Sequence, residues 1–505
     1  MNFTSPQHKL KNPAYGMLFI IVGSLLLRLI AMPKTNLLVE EAYYWNYAQH
    51  LDFGYLDHPP MVALLIKLST LLFGTHEFGV RASSLFCWFI ASYFSFKWTN
   101  LLKPRAGIFA IALLAILPFF FLHALIITPD QPLIACWSAG LYCLYRCLVR
   151  KEARYWYGAG VCFGLGLLSK YTMVLLGVSG LIYMAANVDA WHWFRRKEPY
   201  LCALIALILF SPVIYWNMQH DWASFAFQST RRIHAQDDFS LHYLLGLVVL
   251  FLLPPGLWGL WRLFSSQATR NIAANTRRFF QIFSLVPVLI FACFSLSHSI
   301  KFNWIGPSFL ALIPWLALMM DEAPLRPRFH AYRLWLHTGI FLLLTYTASL
   351  FIITYSKPML VYQSFFQKFI AWDDLTQQVH QIAQTIERET KEKPIIIPLE
   401  TYNLGSEFNF YQAKFLAEKK INAVYPIVGR HVFGLNSLMY RYWAPKPDLH
   451  NKVVIIIAKD RRDLSQERFK DKFIARSPIQ IIWSHSQSSG MNVHPHYYQI
   501  LEMKA

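Results

Sequence analysis

Residues 37–68 read LLVEEAYYWNYAQHLDFGYLDHPPMVALLIKL, an acidic pair, an aromatic run and an Asp-His-Pro-Pro element lying between apolar segments. Glu40 and Glu41 stand just before an aromatic amphipathic helix expected over 43–51. Adjacent side chains on a helix point in different directions, so one can face a reacting group while the other caps or braces the helix. Plain complementarity between carboxylates and a helix N-terminus also accounts for the pair. Asp57 and His58 stand at the mouth of the next helix, with Pro59 and Pro60 fixing its entry. Hard oxygen and imidazole suit a divalent metal, and His220 beside Asp221 offers a further ligand to join Asp57. An Asp helix cap with an interfacial His is the ordinary alternative.

The surroundings place this stretch at a membrane. The chain has 505 residues, 55% hydrophobic and 15% charged, where a soluble domain carries about 25% charged residues. Runs at 15–32, 79–101, 106–125, 131–149, 155–169, 172–188, 199–216, 241–262, 279–297, 303–320 and 333–355 are apolar, which suggests about 11 spans. The run 15–32 lacks a small-residue cleavage site and reads as a retained first span. The shorter run 59–73 reads as an interfacial helix.

The net charge of +19 does not point to nucleic acid, because Lys and Arg concentrate in short loops. Lys103 and Arg105, then Arg146 to Arg154, Arg195 to Lys197, Arg262 to Arg278, and Arg326 to Arg333 fall on one side, the expected cytoplasmic side. An odd span count then puts the N-terminus inside and the C-terminal region outside. The seven cysteines lie in or beside apolar runs and read as small buried hydrophobes. The expectation is a multi-span α-helical membrane protein, 1–356, whose external loop 33–78 carries chemistry. A C-terminal extracytoplasmic α/β domain, 357–505, follows, with a helix over 373–390 and strands near 394–398, 423–425, 453–458 and 479–483.

The remaining unusual polar groups share the outer side with the first loop. They are Asp130 after Thr128-Pro129, Lys170 after Ser169, Asn217 through Trp222, and Lys301 to Trp304. Ionisable groups at the edge of hydrocarbon are costly, so a one-sided collection suggests a site. Lys170 interrupts an apolar run and suits an anion; Lys301 and Arg81 are further cations, though each long side chain can also snorkel to the interface. Asp130 either caps its helix or acts in the site. The loop 217–238, with Gln228, Arg231, Arg232 and His234 beside its aromatics, suits a sugar, an anionic lipid head or a lipid-facing belt.

In order, these elements resemble the bacterial relatives of dolichyl-phosphate-mannose protein mannosyltransferases, including the transferases that add aminoarabinose or galacturonic acid to lipid A. The resemblance is carried by Glu40-Glu41, the aromatic helix, Asp57-His58-Pro59-Pro60, Phe73-Gly74 with Phe78 to Arg81, Thr128 to Pro132, Gly166 to Thr172, Ser211 to Trp222 and Lys301 to Trp304. It implies a GT-C enzyme of the bacterial inner membrane that takes a sugar from a polyprenyl phosphate by inverting transfer on the external face. Lipid A or the lipopolysaccharide core is the expected acceptor. By position Glu40 matches a family aspartate and Glu41 its neighbour; either carboxylate can be the base, with Asp130 as a secondary catalytic candidate. Lys170, Arg81, Lys301 and His58, where these transferases carry lysine, are expected at the donor phosphate. Tyr43, Tyr44, Asn217, Trp222 and Asn303 are expected at the sugar or acceptor. Protein O-mannosylation is the alternative within the enzyme class. A flippase would be expected to show repeated halves, which the sequence lacks, and a receptor leaves the acidic loop and Lys170 unexplained.

Overall fold

A backbone in hydrocarbon must satisfy its own hydrogen bonds, and the first two thirds of this chain answer almost wholly with helices. The computed structural model describes residues 13–229, 238–265, 272–321, 331–355, 371–445, 447–449, 452–465, 473–485 and 492–503. Its helices begin with α1 (Pro13–Lys34), α2 (Val39–Gln49), α3 (Met61–Phe73), α4 (Glu77–Leu102), α5 (Gly107–Ile116), α6 (Pro118–His123) and α7 (Asp130–Leu144). They continue with α8 (Tyr155–Leu167), α9 (Val174–Ala186), α10 (Glu198–Gln219), α11 (Ala223–Gln228), α12 (Leu241–Phe264), α13 (Ala274–Ser295), α14 (Ile313–Asp321) and α15 (Ala331–Tyr355). Arg231, Arg232, His234, Arg270, Arg326, Arg328 and the expected domain boundary at 356/357 lie outside the described residues.

Six helical segments among the described residues are long and apolar enough to cross a membrane, and a bent pair, Tyr171–Ala186 with Val188–Arg195, makes a seventh if counted as one. That is fewer than the sequence pattern suggested. The run 106–125 breaks at Leu117 into α5 and α6, because Pro118 cannot donate into a continuing helix. The run 303–320 splits into a 3-10 helix, Gly306–Leu312, and α14. Helix α8 has 13 residues and ends just before Lys170. Helix α4 has ample length at 26 residues but buries Arg81, Ser83, Ser84, Ser92, Ser95 and Thr99 among its neighbours. The short amphipathic run expected over 59–73 is α3. All seven cysteines are free, with Cys293 exposed on its helix.

The C-terminal part adds α16 (Trp372–Thr390), α17 (Asn403–Ala417) and the strands β1 (Ile395–Pro398), β2 (Val453–Ala458), β3 (Phe473–Ala475), β4 (Gln480–His485) and β5 (Asn492–Met503). Strand β2 is buried along its whole length, paired parallel to β1 and antiparallel to β5. Its two faces pack into separate cores, Val453, Ile455 and Ile457 on one and Val454, Ile456 and Ala458 on the other, which is why it reads as an unbroken aliphatic run. Strands β3 and β4 pair antiparallel with different parts of β5. The strand expected at 423–425 does not form; a single bridge, Ile396 to Ile427, lies just beyond it.

Helix α17 docks this domain on α2. Tyr411 accepts from the Leu37 N–H at 3.1 Å, and Asn409 donates to Asn46 at 2.9 Å. Lys414 reaches Glu77 at the start of α4 at 2.7 Å, while Trp45 meets Phe410 edge-on. Glu407 lies within this interface, wholly buried, and neither carboxyl oxygen has a hydrogen-bond partner among the described residues. Burial first, then the charges of Glu41 and Glu40, hold its pKa well above the usual carboxylate range. The folded state therefore keeps a proton that the unfolded chain releases, and stability falls as pH rises from the ordinary carboxylate range through the raised folded value. Melting curves of the purified chain in detergent should show this decline for the native sequence and a shallower one for Glu407→Gln. Parallel pH profiles would contradict a buried neutral carboxyl.

Candidate active site

Residues three and four apart share a helix face, so α2 presents Glu40 with Tyr43, Tyr44 and Tyr47 on one side, and Glu41 with Trp45 on another. The two glutamates meet opposite surroundings. Glu41 is fully buried and receives the Arg81 guanidinium at 2.6 Å. It also accepts the Leu38 and Ile127 N–H groups, each at 3.0 Å. Arg81 places its other donors on the carbonyls of Met32, Thr35 and Asn36 and on the Thr35 hydroxyl. Every strong interaction of Arg81 is therefore inside the protein. The expectation of Arg81 at a donor phosphate is corrected: its guanidinium joins the end of α1 to α2 and α4, with no surface exposed. Glu40 is half-buried and makes no hydrogen bond or ion pair among the described residues.

Helix α2's open face looks onto Asp57. The Asp57 carboxylate accepts from Tyr43 at 3.4 Å and from Tyr47. Burial raises its pKa above the usual range, while the two tyrosine hydroxyls and the charge of Lys301 work against that rise. Tyr44 is buried beside His58, with rings 5.6 Å apart. Burial, followed by the charges of Asp57, Glu40 and Asp130, keeps the Tyr44 phenol neutral. The charges of Asp57, Glu40 and Asp130 thus all bear on this one hydroxyl.

The cationic side comes from segment ends. The Met61 N–H at the start of α3 donates to the Leu168 carbonyl at 3.0 Å, holding the segment before Lys170 against the first loop. Lys170 is almost wholly buried and donates to Asp130 at 2.7 Å. Asp130 also accepts Asn303 at 2.6 Å and Thr128 at 3.3 Å. Three of its roughly four lone-pair sites are thus occupied, which suits an orienting brace better than a base. Lys170 retains two N–H groups without a hydrogen bond among the described residues, and an ammonium carries three donors. Lys301 is exposed, with its charge felt at Asp57.

Two expected sugar contacts turn out to serve the fold. Asn217 is buried; its amide donates to the Val213 carbonyl and its oxygen accepts the Ser224 and Phe225 N–H groups. It holds the turn in which Asp221 and Trp222 adopt left-handed backbone angles, φ 50° and 56°. Asn303 uses one amide N–H on Asp130, leaving its second N–H and its oxygen. Trp222 is about half exposed beside Phe225. Nor do Asp57 and His220 form a metal centre: His220 stacks on Trp216 and bonds its carbonyl, while Asp57 serves two tyrosines. No cluster of three or more His, Cys, Asp or Glu suited to a metal occurs among the described residues.

The fold is that of the multi-span GT-C membrane enzymes, with a small C-terminal α/β region. The structure of ArnT from Cupriavidus metallidurans in the apo state aligns over 97% of this chain and 98% of its own, with TM-score 0.66 at 14% identity. The same enzyme bound to undecaprenyl phosphate aligns over 95% and 97%, with TM-score 0.65, again at 14% identity. In sequence, residues 57–216 match the dolichyl-phosphate-mannose-protein mannosyltransferase family, as the motifs suggested. The lipid A galacturonosyltransferase RgtD of Rhizobium johnstonii is 25% identical over 218 residues, 42% of this chain and 45% of its own length. The match thus spans less than half of that curated relative.

The opposed surroundings of the two glutamates should separate in stability. Glu41→Gln leaves a buried guanidinium without its counter-charge and should cost about 3–5 kcal/mol. Glu40→Gln removes no bond and should cost less than about 1 kcal/mol. Thermal melts of both variants in detergent measure the difference; equal losses would contradict the assignment.

Proposed function

We propose that the chain is a glycosyltransferase that moves a sugar from a polyprenyl phosphate to lipid A or the lipopolysaccharide core. The observation that carries this reading is an unpartnered carboxylate, Glu40, grouped with a lysine whose remaining donors are free. Such a pairing suits a reaction that removes a proton at one end and releases an anion at the other. The lipid phosphate bound in one ArnT structure and the lipid A acted on by RgtD support the donor and acceptor classes.

In this mechanism Lys170, oriented by Asp130, donates to the phosphate of the donor, with Lys301 and His58 at its outer side. Fixed cations of this kind stabilise the charge that develops on a leaving phosphate. Glu40 accepts the proton of the acceptor hydroxyl as its oxygen attacks C1 from the face opposite the phosphate. The new C1–O bond forms, the C1–O(phosphate) bond breaks, and the electron pair leaves with the polyprenyl phosphate. Configuration inverts. The basic loops assign the N-terminus to the cytoplasm and the first loop and C-terminal domain to the periplasm of a bacterial inner membrane. Protein O-mannosylation is the second reading, favoured by the family matched over residues 57–216.

Mass spectrometry of lipid A and core oligosaccharide from a deletion strain tests the proposal. One sugar mass should disappear and return with the native gene. Glu40→Gln should restore at most about 1% of it, the loss expected for a general base, and Lys170→Met should fail similarly. Unchanged lipids in the deletion strain would overturn the lipid acceptor and direct the search to secreted glycoproteins.

A further inference from the structure

Beside the contacts that Met439 and Trp443 make with Tyr43, the C-terminal domain reaches the Glu40 face through Tyr402. It stands just past β1, near the carboxyl ends of the parallel pair β1 and β2, the edge where open α/β sheets commonly bind ligands. Its ring lies 4.5 Å from that of Tyr43, tilted by 35°. Tyr43 is three residues beyond Glu40 on α2, so Tyr402 covers the same helix face as the unpartnered carboxylate. The Tyr402 ring is half-buried, yet its hydroxyl makes no hydrogen bond among the described residues. Burial, then the charges of Glu40 and Asp57, push its pKa above the usual phenol value, so the group remains an O–H donor.

Behind Tyr402 lies a narrow cleft of about 10 Å3, room for one water-sized molecule, bordered by Glu400, Thr401, Gly405 and Tyr440. One Glu400 oxygen is buried there without a partner, while the other accepts the Lys459 N–H at 2.9 Å. Carboxyl oxygen, hydroxyls and an aromatic ring are the groups that recognise a sugar bearing several hydroxyls. Buried polar groups normally find partners, and this Glu400 oxygen has none among the described residues.

We propose that Tyr402 binds the hydroxyl-bearing sugar headgroup of the acceptor glycolipid, making the C-terminal domain part of the substrate site. The inference rests on the transferase reading above. Tyr402 acts as a positioning residue: its hydroxyl bonds the headgroup and fixes the reacting oxygen against Glu40. It takes no proton. A merely covering domain would need the ring against Tyr43 but would have no use for the hydroxyl.

The test uses the purified full chain in detergent, titrated separately with lipid A and with undecaprenyl phosphate, comparing the native protein with Tyr402→Phe. Phenylalanine keeps the ring on Tyr43, so the melting temperature should hold. Lipid A binding should weaken about fivefold to tenfold, the equivalent of one hydrogen bond, with undecaprenyl phosphate binding unchanged. Unchanged affinity for both lipids would overturn the role of Tyr402 while leaving the transferase reading intact. Parallel weakening toward both would reduce Tyr402 to a structural residue and also overturn it. A native protein that binds neither lipid would instead remove the transferase reading, and the inference with it.

Discussion

The buried contact between Arg81 and Glu41 is the interaction on which the rest of the outer face depends. One guanidinium gathers the carbonyls that end α1, the carboxylate that opens α2 and the body of α4. The same carboxylate takes the Ile127 N–H just before α7, so four chain segments meet at one ion pair. Burying both charges is costly, and the arrangement stands because nearly every donor and acceptor is matched. Lysine could not replace the arginine, since a single ammonium lacks the planar fork that reaches carboxylate and carbonyls together.

Fixing α2 in this way decides what its other faces do. With Glu41 turned inward, helical phase turns Glu40 and the three tyrosines toward Asp57. The Asn46 side meets α17, where its amide reaches the Ser406 carbonyl. A structural ion pair, an open carboxylate and a domain interface thus come from eleven residues of one helix. The segment after α8 is held beside them through Met61 and Leu168, which brings Lys170 and Asp130 to the same region.

Much of this was legible in the sequence, and what was not has physical reasons. Polar groups interrupting apolar runs marked Lys170, Asp130 and the first loop, because hydrocarbon makes such groups conspicuous. Which glutamate serves the fold was hidden, since the answer depends on Arg81 forty residues away. For the same reason Arg81 itself looked like a free cation at a segment end. The continuity of the apolar runs was not legible, because such a run does not reveal a break like that at Leu117 and Pro118. Helix α17 and strand β5 lacked strong local periodicity, and β5 carries Pro495 and His496 within it. Tyr402 could not be found at all, since its partner is a tyrosine on a distant segment and no local pattern announces the contact.

The most direct test is an experimental structure of the full chain with undecaprenyl phosphate bound. The phosphate should lie within hydrogen-bond distance of the Lys170 ammonium, with the Glu41–Arg81 pair closed and Glu40 facing the open site. A phosphate held by Arg81, with Glu41 displaced, would contradict the division of the acidic pair into one residue that holds the helix and one that acts.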